Sequence, residues 1–189
     1  MSLGDDFSRI LDQYSDPQAQ SAPQPQVEQD FDHVAQQADT ETLQQGINGA
    51  FRSDQTPPFG NMVGQLFGQA DPNQRAGMLN QLIGAVGPAV IGSLLGGSNA
   101  AGGGLGGMLG NLLGNAGAGA SAPQISPQQA QQLDPQQVQE IANHAERENP
   151  GVVEQMSRYY AQNPQLFKAL GGAALAVALG HIAQRNRGG

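Results

Sequence analysis

ISPQQAQQLDPQQVQEIANHAERENPGVVEQMSRYYAQNPQLFKALGGAALAVAL, residues 125–179, decides the fold class. Four times in this stretch a capping residue stands directly before a proline: Ser126-Pro127, Asp134-Pro135, Asn149-Pro150 and Asn163-Pro164. The side-chain oxygen of the first residue can take a free helix N–H, and proline at the first helical position forfeits no hydrogen bond. Each pair therefore predicts a helix start. The residues that follow recur at helical spacing: Val138, Ile141, Ala142 and Ala145; then Val152, Val153, Met156 and Tyr160; then Leu166, Leu170 and the run AALAVAL. No alternating β-branched segment occurs anywhere along the chain, so it is expected to be all-α.

The last of these helices holds ALGGAALAVAL, residues 169–179, uncharged and flanked by Lys168 and His181. A membrane-spanning helix needs about 20 apolar residues, and shorter runs belong to a buried core. The run is therefore expected at the centre of a C-terminal bundle over 125–185. Val138, Ile141, Met156, Leu166, Leu170, Leu175 and Leu179 are expected to form its core, with Gly171, Ala173 and Ala174 allowing close helix approach.

Before Pro123 the character changes. Fourteen of the 27 glycines lie between 84 and 119, and no charged side chain occurs from 76 to 133. Gly102, Gly106, Gly110 and Gly114 recur every fourth residue, with Leu105 and Leu109 among the apolar residues between them. Glycine is costly in a water-exposed helix, which predicts a flexible hinge over 97–124. The same spacing lets helices approach closely where a partner surface exists, so these residues are the candidate self-association face. Gly60, Gly64 and Gly68 repeat the spacing further upstream.

Residues 30–96 read as an N-terminal helical module. Phe31, Val34, Ala35 and Ala38 share one helical face; Leu43, Ile47, Ala50 and Phe51 share a second, with Thr40 as the expected N-cap. Pro57-Pro58 opens a helix carrying Phe59, Met62, Val63, Leu66 and Phe67, and Asp71-Pro72 opens another carrying Ala76, Leu79, Leu82, Ile83 and Val86. Ahead of this module, residues 15–29 are Gln- and Pro-rich and are expected to form a disordered linker. Residues 1–14 form a short amphipathic helix through Phe7, Ile10, Leu11 and Tyr14, a candidate docking element for a protein partner.

Composition narrows the function classes. The 189 residues contain no Cys and no Trp, which removes disulfides and thiolate metal sites. Aromatic residues are only 5%, so the core is small and oligomerisation would supplement it. The net charge is −8, and all of it arises in residues 1–55, where ten acids face Arg9 and Arg52. After Glu154 the charged residues are Arg158, Lys168, Arg185 and Arg187, so the two ends should attract, within a molecule or between neighbours. So acidic a chain is a poor ligand for nucleic acid. The start lacks a basic and apolar leader, which predicts a cytoplasmic location, with peripheral membrane contact as an alternative.

The helical grammar of residues 125–179 resembles that of bacterial proteins of the YidB-like group, the domain-of-unknown-function 937 family, which are small, helical and glycine-rich. The resemblance implies an all-α fold with short helices opened by Ser/Asp/Asn-Pro turns. It implies no activity.

Residues with chemical capacity do not converge. Glu140, His144 and Glu148 stand at i, i+4 and i+8 and are the candidate metal ligands, yet they lie opposite the apolar stripe, where a solvated face is expected. Asp30, Asp32, His33 and Asp39 suit helix N-termini better than acid–base work. Gly102, Gly104 and Gly107 match G-x-G-x-x-G only through composition, since no strand precedes them. Tyr159-Tyr160 beside Arg158 reads as helix-face packing. The expected protein is therefore not an enzyme and binds no cofactor. It is expected to be a structural or interaction protein that self-associates, the alternative being a membrane-active protein using residues 82–114 and 166–183.

Overall fold

The computed structural model describes residues 3–15, 24–96 and 124–187, with side-chain surroundings for 6–15, 25–85 and 124–186. Most of the expected hinge at 97–124, including Gly102, Leu105, Gly106, Leu109, Gly110 and Gly114, lies outside the described residues, as do residues 16–23 of the expected linker. Among the described residues there are ten α-helices and no strand: α1 Leu3–Tyr14, α2 Gln24–Gln37, α3 Thr40–Phe51, α4 Phe59–Gln69, α5 Pro72–Gly96, α6 Pro127–Ala130, α7 Pro135–Glu148, α8 Gly151–Gln162, α9 Pro164–Lys168 and α10 Gly172–Arg187. The protein is all-α.

The helix starts follow from local chemistry. At α6, Ser126 Oγ accepts from Gln129 N–H at 3.4 Å while Gln129 Oε1 accepts from Ser126 N–H at 2.9 Å, a reciprocal cap. Asp71 and Gln74 do the same at α5, with Asp71 Oδ1 taking Gln74 N–H at 3.0 Å and Gln74 Oε1 taking Asp71 N–H at 3.0 Å. Two expectations need correction. The cap of α3 is Asp39 rather than Thr40, because Thr40 is already helical while Asp39 is extended and its carboxylate accepts Thr42 N–H at 2.7 Å. Residues 24–29 are helical rather than linker, because Val27 is buried and extends the Phe31/Val34 stripe by one turn.

The chain divides into two compact units: residues 1–62 with 157–189, and residues 63–156. The division falls inside α4 and inside α8. These are not the expected modules 30–96 and 125–185. Amphipathic periodicity shows that a face will be buried and does not show against which neighbour.

In the first unit α10 is the central helix, packed against α1, α2, α3 and α9. Residues 174–180 are all buried, as a helix apolar on every side requires. Its contact with α3 is close because of Gly46 and Gly49. A Cβ on Gly46 would lie 2.5 Å from Ile182 Cγ1 and 2.9 Å from the Ala178 carbonyl oxygen, and one on Gly49 would overlap the His181 ring. Phe31, Phe51, Phe59, Tyr160 and Phe167 form an aromatic cluster, with Phe51 edge-on to both Phe59 (5.3 Å between centroids) and Phe167 (5.7 Å). Four of the six phenylalanines are spent here. Beside the cluster, Lys168 Nζ pairs with Asp32 at 2.6 Å and joins α9 to α2.

The second unit gathers α5, α6 and α7 with the adjoining parts of α4 and α8. Gly64 brings α4 against the start of α7, where a Cβ would lie 2.7 Å from the Pro135 carbonyl oxygen, and Gly68 faces the Pro135 ring. The α4 glycine ridge expected to serve self-association is therefore occupied, at these two positions, by the chain's own α7. Two asparagines fasten the rest. The Asn80 amide accepts Ile125 N–H at 2.7 Å and donates to Ile125 O at 3.2 Å, and Asn149 Nδ2 donates to Ala85 O at 2.7 Å. Arg75 closes the end of α4, donating to Ala70 O at 2.9 Å and Gly68 O at 3.0 Å while lying over the Phe67 ring.

Candidate functional site

A surface recess of the first unit lies at the C-terminal end of α10. A groove of about 410 Å³ is lined by Phe7 and Leu11 of α1, by Gln37, Ala38, Asp39 and Thr42 at the α2–α3 turn, and by Ile182, Arg185 and Asn186. A second recess of about 380 Å³ shares Thr42, Ile182 and Arg185 and adds Gln45, Gly46, His181 and Gln184. A third, of about 200 Å³, lies where α1 ends and is lined by Tyr14, Ser15, Ser53, Gln55, Val177, Gly180, His181 and Gln184. All three meet α10 between Val177 and Asn186. The end of α10 thus buries Ile182 and exposes His181, Gln184, Arg185 and Asn186 beside the recesses.

The carboxylate that lines the groove is already engaged. Asp39 is committed to the α3 cap, and the hydrogen bonds from Thr42 N–H and Thr42 Oγ1 hold its carboxyl below the usual range. A carboxylate so stabilised is a weak base. Gln45 Nε2 donates to Glu41 at 3.3 Å, whereas its buried Oε1 has no partner among the described residues.

The acids singled out in the sequence take separate structural duties. Asp30 accepts the Tyr14 hydroxyl at 2.8 Å, Asp32 pairs with Lys168, Asp39 caps α3, and His33 is exposed. Burial raises the Tyr14 phenol, and the hydrogen bond to Asp30 adds to the shift. Glu140, His144 and Glu148 lie along α7, with both glutamates exposed and His144 half-buried. Eight residues of helix separate the two glutamates by about 12 Å along the axis, too far for one ion. Among the described residues no group of three or more potential ligands is placed to hold a metal. Tyr160 is wholly buried in the aromatic cluster, edge-on to Tyr159 at 5.7 Å, and burial raises its phenol well above the ordinary range. Arg158 reaches Gln44 at 3.5 Å.

The expected C-terminal core is distributed between the two units. Val138, Ile141 and Met156 are buried in the second, and Leu166, Leu175 and Leu179 in the first. Leu170 is half-buried rather than buried, because the chain turns through Gly171 at φ +86° before α10 begins. Leu82 and Ile83, at the start of the segment considered for lipid contact, are buried in the second unit. Among the described residues no helix is long and apolar enough to cross a membrane. The recess residues Thr42, Gln45, His181, Ile182 and Arg185 carry no motif. Their one trace in the sequence is the Gly46/Gly49 pair, which marks a close helix crossing without naming the partner.

Compared with protein-family models, with curated proteins and with solved structures, the chain matches none.

Proposed function

We propose that this chain is a non-catalytic interaction protein that self-associates, with the recess around the end of α10 as its binding face. The observation that carries the reading is the recess itself: a mainly polar groove of Gln37, Thr42, Arg185 and Asn186 beside the half-buried Phe7 and Ala38, with its carboxylate already committed to a helix cap. Such a surface offers burial and hydrogen bonds to another chain rather than a reacting pair of groups.

Self-association is supported further by charge. The acidic segment before residue 55 and the basic residues after 154 attract, and Lys168–Asp32 uses only one such pair within the molecule. The face at Gly102, Gly106, Gly110 and Gly114 with Leu105 and Leu109 is retained as a second contact, as are a cytoplasmic setting and kinship with the YidB-like group over 125–179. Sedimentation of the full chain at tens of micromolar tests the reading. Association is expected at low salt and should weaken by ~0.5 M, where exposed charges are screened within a few ångströms. Removing residues 102–114 should weaken it at every salt. A single monomeric species at low salt overturns the proposal.

A further inference from the structure

We propose that the seat of α1 on α2 and α10 is an exchangeable docking site, and that its second occupant is α1 of another copy of this chain. The inference rests on the self-association reading above and specifies how two copies engage.

The seat is built for one particular helix. At its tight end the Tyr14 ring is buried, and its hydroxyl donates to Asp30 Oδ2 at 2.8 Å. The Tyr14 carbonyl oxygen lies so near Gly180 that a Cβ there would stand 3.3 Å away. Leu11, one turn earlier, is buried at 3% exposure. An occupant must therefore offer a leucine and a tyrosine three residues apart, the tyrosine in register with Asp30 and its backbone against Gly180. The chain's own α1 has this pattern, and a second copy supplies it unchanged.

At the other end α1 is held less firmly. Phe7 and Ile10, which continue the apolar stripe, are only half-buried, and the groove of about 410 Å³ runs beside Phe7. A helix of 12 residues is too short to persist in water by itself, so α1 needs a seat. Exchange between copies keeps every one of these contacts and replaces an intramolecular partner by an identical intermolecular one, which is why swapping an element is a low-cost route to a dimer.

The absence of native cysteine makes the test clean. Ser15 and Gln184 line the same small recess where α1 ends. Full-length Ser15→Cys and Gln184→Cys chains are mixed, held at increasing concentration and oxidised with glutathione disulfide, and the 15–184 heterodisulfide is quantified by mass. Exchange predicts a heterodisulfide that rises with concentration and exceeds by several-fold that of a Ser15→Cys/Gln165→Cys control mixture. The double variant Ser15→Cys/Gln184→Cys should close the same bond, within one chain at low concentration and between chains at high. Bond formation only within chains, in a protein that still sediments as an oligomer, overturns exchange and leaves self-association standing. A monomer at every concentration overturns both. Failure of the double variant to close, together with a mixture that yields no more heterodisulfide than the control, overturns exchange.

Discussion

At Gly46 an added methyl group would meet Ile182 and, more seriously, the Ala178 carbonyl oxygen at 2.9 Å, a backbone atom that cannot swing aside. Gly46→Ala is expected to destabilise by about 1–3 kcal/mol through overpacking, although alanine favours the helix by about 1 kcal/mol. Gly49 differs, because its neighbour is the exposed His181 ring, which can rotate away, so Gly49→Ala should cost less. Gly84, exposed with nothing within 4 Å, should behave oppositely, with Gly84→Ala stabilising by roughly 1 kcal/mol. Urea unfolding of the three variants checks the order, and an equal response at all three would refute the α3–α10 crossing. Tyr160 offers a second residue-scale test. Its buried hydroxyl has no partner among the described residues, so Tyr160→Phe should raise stability by about 1 kcal/mol. Its raised phenol also sets a pH trend. The folded chain holds the proton more tightly than the unfolded one, so stability is intact below the unfolded value of about 10 and declines as pH rises beyond it. Tyr160→Phe should flatten that decline in alkaline melting curves.

Single elements respond to their caps and to their burial. Asp39 holds the start of α3 through Thr42, and these hydrogen bonds favour its ionised form. Its contribution is present above the unfolded carboxyl value of about 4 and disappears as pH falls through the lower folded value. The Tm gap between the native chain and Asp39→Ala should therefore be open at neutral pH and close in strong acid. A gap that persists unchanged into strong acid would show that the carboxylate is not what caps the helix. For α10 the test is burial. Leu175 is wholly enclosed, and Leu175→Asp would bury an unpaired charge on the central helix of the first unit, a loss of about 4 kcal/mol or more. The variant should lose its cooperative melting transition, and an unchanged Tm would remove α10 from the core.

For the whole molecule, the arrangement of the chain makes a claim that the individual helices do not. The first unit takes its helices from both ends of the sequence, α1 to α3 with α9 and α10. A fragment of residues 125–187 contains every helix of the apparent C-terminal bundle but lacks α1, α2 and α3, which cover most of α10. That fragment is expected to show low helicity by circular dichroism and no cooperative unfolding. A fragment that melted sharply would restore the C-terminal bundle as an independent fold. The pairing of chain ends also accounts for part of the charge asymmetry. Lys168 with Asp32 brings the basic end to the acidic one, although a pair about a quarter exposed contributes modestly and is screened by salt.

The sequence by itself determined the all-α class, most helix starts and many buried positions, though not Val27, Met78, Leu133, Phe167 or Ile182. Each is a local property: a Ser-Pro or Asp-Pro pair acts within one turn, and a 3.6-residue stripe shows its buried face to anyone who counts. Asp39 rather than Thr40 caps α3, and α2 starts at Gln24, one residue and a turn or two from where the local signals point. Tertiary structure alone decided which stripes meet. Nothing in AALAVAL says that α3 and not α8 lies against it, and nothing in Gly60-x-x-x-Gly64-x-x-x-Gly68 distinguishes a surface for a second molecule from a seat for Pro135. The recess at the end of α10 escaped the sequence for the same reason. Phe7, the Asp39/Thr42 pair and Arg185 are separated by long stretches of chain and share no periodicity, and only the packing of α1 and α3 on α10 brings them to one place.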